Sequence, residues 1–400
     1  MFSLMESMPN HEFIPFAVDF PQNMTSPYQP YFVSPPSAGH SSRLNDQDMS
    51  FWEKLRYAGK NIYSFEARKK LLKLIDDTQP QAALFLNAVY FSQSIIDACK
   101  KRNLPIIWRL SDFNLICGNY LFYRDGNVCT ECVDSGTSKV LANRCGGYQK
   151  SFSAAMVRFL SMKLAAWRNI YRHVDYFVCP SKFMKKIMTS AGFSADKLVH
   201  IPTFVSTGSD EIKDAKTNQL IYVGRISPEK GVDVLLKAME KVKVNDWSLI
   251  IAGGSDSDYA KSLIDLIPDS IRTKIHFNGF LSLEQVKDRI QESRFVVVPS
   301  VWYENMPNVV LEAMSLGRPV IASRLGSLEE MINHGETGFL FDPGSPEDLA
   351  EKITSLLQDK EKTQLMGSRA RDFIKNVHSI HAHMTSLKKI FNSALKNRKG

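Results

Sequence analysis

The chain has 400 residues and a mass of 45.3 kDa, enough for two or three domains at about 150 residues each. Hydrophobic residues make up 44% and charged residues 23%, a globular composition that excludes a disordered chain, a collagen-like repeat or a coiled-coil fibre. No run approaches the roughly 18 apolar residues that span a bilayer.

Residues 1–200 hold 24 Lys+Arg against 16 Asp+Glu, and residues 201–400 hold 26 of each. The net charge of +8 therefore lies wholly in the first half. Such asymmetry suits an anionic partner such as nucleic acid or a membrane surface; a simple solubility surplus is the other reading. Six cysteines in a chain of this length are no disulfide framework. MFSLMESMPNHEF lacks a charged head followed by an apolar core, so no secretory signal is read there. A reducing cytoplasm is the expected compartment.

In chain order, residues 21–45 are rich in Pro, Ser, Tyr and Asn and read as an irregular loop. Short apolar runs then alternate with helical patterns. AALFLNAV (82–89), PIIWRL (105–110), YFVCPS (176–181) and LVHIPT (198–203) read as buried strands. ARKKLLKLI, SQSIIDACKK and SKFMKKIMTSAG carry helical spacing between them. The polar stretch 206–218 has linker composition. The alternation then restarts with LIYVG (220–224), SLIIAGG (248–254), IHFNGF (275–280), FVVVPS (295–300), PVIAS (319–323) and GFLF (338–341), and three helices follow from residue 346. Two doubly wound α/β domains result, with a ligand expected between them at the carboxyl ends of the strands.

Two segments carry chemistry. After LIYVG, Gly224 is followed by Arg225, and Pro228 stands where a helix is expected to begin, with Lys230 and Gly231 behind it. Two cations at a strand end beside a helix N-terminus suit a diphosphate, although solvated surface charges are the commoner reading of such a pair. In WYENMPNVVLEAMSLGRPVIAS, Pro307 reads as the first helical residue, with the amides near Asn308 and Val309 forming an anion-binding end. Glu312 lies eight residues after Glu304, on a helix apolar all round, so it is expected to be buried with a partner.

GR-x4-KG after a strand, Glu-x7-Glu in WYENMPNVVLEAM, then G-RPVIAS and HGETGFLF, together resemble the retaining glycosyltransferases of the GT-B fold, family 4. The likeness is specific over about 219–357 and looser over 106–203. It implies a GT-B fold: an acceptor-binding Rossmann-like domain (1–205), a linker (206–218), a nucleotide-sugar-binding Rossmann-like domain (219–375) and a last helix (376–400) crossing back to the first domain. It implies that Arg225 and Lys230 hold the donor diphosphate and that Glu312 binds the ribose. Glu304 and Asn305, Met306, Pro307, Asn308 and Val309 would contact the donor sugar and phosphate, and Gly224 would line the diphosphate loop. Gly279, Phe280 and Leu281 would lie against the base. The implied activity is metal-independent transfer from a UDP- or GDP-sugar to a polysaccharide or lipid-linked oligosaccharide, with no nucleic-acid partner. An inactive truncated homologue acting as a partner, or a nucleotide-sugar epimerase on the same fold, are the alternatives.

The sequence departs from the family pattern in places. HEFIPFAV looks like the family's second strand, preceded by the end of its first helix, so the first strand and its Gly-rich loop are expected to be missing. Relatives often carry His-Asp where this chain has Ser111–Asp112. Asp112 is a candidate for the acceptor site, or a cap on the following turn. Cys117, Cys129, Cys132 and Cys145 have the ligand count of a structural zinc site, or are reduced thiols. Cys99 and Cys179 read as core residues. The basic, aromatic-rich pattern of 153–173 suits either peripheral contact with the inner membrane face or ordinary packing. His381 and His383 read as surface residues.

Overall fold

A computed structural model describes residues 2–35, 50–88, 91–146, 151–205, 212, 214–215 and 217–399. The expected linker falls largely outside the described residues, as does the second part of the loop at 21–45.

Two parallel sheets carry the fold. In the first, the strands Ala83–Phe85, Ile106–Arg109, Tyr176–Cys179 and Leu198–His200 lie side by side in that order. Successive residues of each strand point to opposite faces. Ile106, Trp108, Phe177 and Cys179 enter one apolar cluster with Ile95, Ile96 and Met184. Ile107 and Val178 face the other way, onto Met384, Leu387 and Ile390 of the final helix Ile380–Lys399 and onto Leu4 and Met8. Each such fully buried aliphatic side chain contributes about 1.5–3 kcal/mol. The same helix and the turn that leads into it are pinned by polar contacts. His378 and His383 each place Nδ1 2.7 Å from a carbonyl, of Thr203 and Pro202 respectively, and Arg398 pairs with Asp175 at 3.1 Å. His383 is thus buried rather than on the surface. Cys99 and Cys179 are fully buried.

The second sheet has six strands in the spatial order Gly338–Phe341, Val320–Ser323, Phe295–Val298, Gln219–Val223, Ser248–Ala252, Ile275–Gly279. The first and fourth strands of this unit in chain order are therefore neighbours, and the winding direction reverses between them. This is the doubly wound arrangement, whose crevice lies at that reversal, outside the carboxyl ends. Alternation again explains the layers. Leu220, Tyr222, Leu249, Ile251, Phe295 and Val297 face one helical layer; Ile221, Ile250, Val296, Val298, Val320 and Ala322 face the other.

Local corrections have clear causes. HEFIPFAV forms no strand; only Val18 bridges to Val33. Pro15 removes a ladder donor from the middle of the run. The helix expected at Pro228 is a single 3-10 turn, Pro228–Lys230, and the α-helix Val232–Met239 starts only after Gly231. Gly231 has φ +66°, and a Cβ there would stand 2.0 Å from the Pro299 carbonyl oxygen. The chain must turn left-handed here because the neighbouring strand's end passes directly against it. Pro307 is extended (ψ 119°) and precedes the helix Asn308–Ser315 instead of opening it. The pattern over 153–173 divides into the helix Phe152–Trp167 and a 3-10 turn, Ile170–His173, separated by left-handed Asn169. Among the described residues, no helix is long and apolar enough to cross a membrane.

Candidate active site

An open cleft of about 1830 Å³ separates the two sheets. The N-terminal side contributes Arg109, Asp112, Tyr123 and Arg158, and the C-terminal side contributes Arg225, Glu229, Ser257 and the run 302–306 with Asn308. The cleft is narrowed by contacts across the domains. Asn305 Nδ2 donates to the Leu110 carbonyl (2.9 Å), and the Glu330 carboxylate accepts the amides of Lys182 (2.9 Å) and Phe183 (3.0 Å) at the start of the helix Lys182–Ser190. That carboxylate satisfies two orphan donors and faces the positive end of the helix dipole. The Phe183 and Tyr303 rings lie 4.6 Å apart.

The loops leaving the two central strands meet at the floor. From the first, Arg225 pairs with Glu229 at 3.1 Å while its side chain stays 52% exposed toward the cleft. Ser227 Oγ donates to the same Glu229 oxygen at 2.8 Å, so this buried acid fixes the loop. Lys230 Nζ reaches across to the second loop and pairs with Glu304 Oε1 at 2.7 Å. That oxygen also accepts from Ser300 Oγ (2.6 Å) and from the Trp302 indole N–H (2.9 Å). Glu304 is therefore buried and held by three donors, whereas an acid in a loop before a helix ordinarily reads as solvated. Lys230 also stands 4.9 Å from the Trp302 ring centroid. Gly224, at the strand end, lies where Gly253 crosses: a Cβ on Gly253 would stand 2.0 Å from the Gly224 carbonyl oxygen.

A second cluster lies beside this floor. Gly279 turns left-handed at the end of its strand (φ +64°), leaving Phe280 90% exposed, while Leu281 packs on the same apolar cluster as Met306 and Val309. Glu312 is half-buried, not enclosed, and burial raises its carboxyl above the ordinary range against the opposing field of Lys287. No hydrogen bond to this carboxylate occurs among the described residues. Gly224, Lys230, Gly279, Phe280, Leu281, Pro307, Val309 and Glu312 do not line the large cleft itself.

Asp112 lines the cleft and accepts the Asn114 amide at 2.9 Å, so it both closes its turn and faces the open space. Burial pushes its carboxyl upward, with the Asn114 amide and the Arg158 charge acting in the other direction. Sequence reading missed Glu229, whose burial no local pattern signals. It also missed the loop Gly253–Gly254 leading to Ser257, which caps the helix Asp258–Asp265 at the Ala260 amide. Gly-Gly after a strand and Ser before a helix were the available signals. Cys117, Cys129, Cys132 and Cys145 lie in the loops after Asp112 as free thiols, and among the described residues no three metal-binding side chains form a group that could hold a metal.

Two Rossmann-like units with an intervening cleft define the GT-B fold of glycosyltransferases. Anabaena HepE in complex with UDP superposes with a TM-score of 0.62 at 18% identity, covering 83% of this chain and 85% of that one. Sucrose-phosphate synthase from Thermosynechococcus elongatus does so with a TM-score of 0.62 at 18% identity, covering 83% and 79%. Residues 209–373 match the family model for glycosyl transferases group 1. An uncharacterized glycosyltransferase of Methanocaldococcus jannaschii is 35% identical over 142 residues, 35% of this chain and 36% of that protein. The sulfoquinovosyl transferase of Arabidopsis thaliana is 31% identical over 225 residues, 51% and 42% respectively. The lipopolysaccharide 1,2-N-acetylglucosaminetransferase of Salmonella typhimurium is 31% identical over 170 residues, 40% and 44%. The matches span less than half the length of each of these three relatives.

Proposed function

We propose that the protein transfers a sugar, with retention, from a nucleoside diphosphate donor to a glycan or lipid-linked oligosaccharide. One observation carries this reading: at the reversal point of the second sheet, Arg225 and the run leading into the open first turn of Asn308–Ser315 line the cleft, and Lys230 reaches from the first loop to Glu304 of that run. That is a site for a diphosphate. Cleavage of the anomeric C–O bond leaves both bonding electrons, and so negative charge, on the diphosphate. Fixed cations and amides aimed at that charge lower the barrier and supply what a divalent ion supplies elsewhere, so turnover is expected without added metal.

Within this reading, Lys230 is held by Glu304, which lines the cleft, and swings its charge onto the phosphate when donor binds. Gly224 lets the backbone pass close to the donor. Asn305, Met306 and Asn308 contact sugar and phosphate from the cleft wall, and Pro307 and Val309 set the entry of their helix. Glu312, with no hydrogen bond to its carboxylate among the described residues, accepts the ribose hydroxyls, and Phe280 with Gly279 and Leu281 forms a shelf for the base. Asp112 stands on the opposite wall, where an acceptor hydroxyl would enter. One structural neighbour is described in complex with UDP and one relative is named for lipopolysaccharide, which supports a UDP-sugar donor and a glycan acceptor.

A peripheral membrane position agrees with the helix Phe152–Trp167. Phe152, Leu160 and Trp167, with Lys163, follow one helical face and are exposed, as are Trp52 and Leu55 on the helix Phe51–Ile62 packed beside it. Flotation with anionic vesicles tests that placement. Incubation with a panel of UDP- and GDP-sugars and lipid or glycan acceptors tests the activity; release of free nucleoside diphosphate only with acceptor present is the expected result.

A further inference from the structure

The net charge of +8 lies in residues 1–200, whereas a diphosphate site on the C-terminal sheet draws on none of it. Part of the excess stands in the N-terminal wall of the cleft. Five basic side chains of that side line it, Lys54, Arg109, Arg124, Arg144 and Arg158, against two acids, Asp112 and Asp125. Arg124 is matched by Asp125 at 3.4 Å and by Glu131 at 2.8 Å. The other four cations have no carboxylate within ion-pair distance among the described residues. The facing floor is balanced by comparison, because Arg225 pairs with Glu229 and Lys230 with Glu304.

Two of these cations are built into the wall. Arg109 ends the strand Ile106–Arg109 and runs along the carboxyl edge of the first sheet, donating to Ser111 Oγ (2.9 Å) and Thr203 Oγ1 (2.8 Å). Arg158, on the helix Phe152–Trp167, donates to the carbonyls of Asn114, Gly118 and Cys117, and its field reaches Asp112. The two guanidiniums therefore flank the Ser111–Asp112 pair. Their partners are neutral oxygens, which fix each group without cancelling its charge. Nε of Arg109 and Nη1 of Arg158 have no hydrogen-bond partner, and neither is among the atoms enclosed by protein, so both are open to the cleft.

Solvated cations are ordinary on a surface, and the exposed Lys54 and Arg144 by themselves say little. Arg109 and Arg158 are half-buried, and burial works against the charge of both. An arginine cannot answer by losing its proton. A partly desolvated cation without an internal counter-charge is costly unless a ligand supplies one. Arg144 and Lys54 extend the positive wall outward. Gly146, two residues beyond Arg144, packs against Ala154 and Ala155 at the start of the Arg158 helix, and Lys54 stands on the helix Phe51–Ile62 beside it. Charge spread from the sheet edge to the rim suits a chain with repeated charges better than one small anion.

Resting on the transferase reading above, we infer that the acceptor is an anionic glycan, one whose sugar units carry carboxylate or phosphate groups. Arg109 and Arg158 grip the charge of the unit that enters the cleft, and Arg144 and Lys54 hold the chain that trails over the rim. Asp112, between the two arginines, is left to meet a neutral hydroxyl. The same wall rejects neutral chains, which would cover Arg109 and Arg158 without supplying the missing charge.

The test is calorimetric titration of the full chain, kept saturated with UDP so that the donor floor is filled, with two matched pairs of probes. One pair is trigalacturonate and its methyl ester; the other is a 6-phosphorylated maltotriose and maltotriose. At least one charged probe is expected to bind saturably, at least 10-fold tighter than its neutral counterpart, and more weakly as salt is raised. The pair that responds distinguishes carboxylate from phosphate. Arg109→Gln and Arg144→Gln should each weaken that binding roughly 10-fold and leave UDP affinity unchanged. Arg109→Lys, which keeps the charge, should restore part of it. Should the half-buried Arg109→Gln melt early, Arg144→Gln and Lys54→Gln on the exposed rim decide. Charged probes that bind no better than the neutral ones would overturn the proposal, as would variants that weaken UDP instead of the glycan. Titration with UDP alone keeps the two readings apart: UDP binding without charge-dependent glycan binding removes this proposal only, whereas loss of UDP binding in the folded wild type removes the transferase reading.

Discussion

Lys230 Nζ and Glu304 Oε1 stand 2.7 Å apart although 74 residues separate them in sequence. The pair exists because the strands Gln219–Val223 and Phe295–Val298 are neighbours in the sheet, so the loops that leave them emerge side by side. One carboxylate oxygen then collects a lysine, a serine and an indole donor, which holds the Lys230 charge against a residue that lines the cleft.

Lys230→Ala should lower kcat by a factor on the order of 10²–10³, because it removes charge stabilisation of the departing diphosphate. The Glu304 cluster retains two of its three donors, so the melting temperature should move little. Steady-state kinetics beside a thermal melt checks both parts. Full turnover in Lys230→Ala would count heavily against the assigned role.

Glu312→Ala should act on donor binding. A carboxylate accepting hydroxyl hydrogen bonds contributes about 1.5–3 kcal/mol, so kcat/KM for the donor should fall roughly 10- to 100-fold. The loss should be smaller for a donor analogue that lacks the ribose hydroxyls. An equal loss for both donors would remove the ribose assignment.

Gly231→Ala should be costly for reasons of backbone alone. The φ of +66° disfavours any Cβ, and the Pro299 oxygen occupies its place at 2.0 Å. A loss of about 2–4 kcal/mol is expected, read as a lower midpoint in urea unfolding. Gly335→Ala makes the comparison, since Gly335 is also left-handed (φ +83°) but has open space at its Cβ position, and it should cost less.

His378 and His383 make the docking of the last helix sensitive to acid. Burial lowers both imidazole pKa values below the ordinary value of 6.5, and the carbonyl contacts only partly oppose it. The neutral forms are therefore favoured in the folded protein, while the unfolded chain takes up protons near pH 6.5. Stability from these sites is present above that pH and is lost as pH falls through it toward the lowered folded values. Protection of the amides in residues 380–399, taken relative to their intrinsic exchange rates at each pH, should fall between pH 7.5 and 5.5. His383→Gln should flatten that response.

Much of the fold was legible in short β-branched runs. LIYVG, FVVVPS and PVIAS place strands because buried parallel strands are apolar on both faces, and each is a strand to within a residue or two. Helix starts were misplaced at Pro228 and Pro307, since proline marks a fixed φ but not the close passage of Pro299 that forces Gly231 left-handed. The partner of Glu304 could not be read from any local pattern, because strand order alone brings Lys230 to it. Glu229 escaped notice for the same reason: its burial follows from the way its loop folds back onto Ser227 and Arg225. The small hairpin at Tyr123–Val128 left no signal beyond Asp-Gly in its turn.

Isothermal titration calorimetry of the folded full chain with UDP and GDP tests the central claim most directly. The account predicts saturable binding of at least one of them at one site per chain, weakened in Lys230→Ala. Absence of any heat with either nucleotide, in protein shown by its melting transition to be folded, would contradict it.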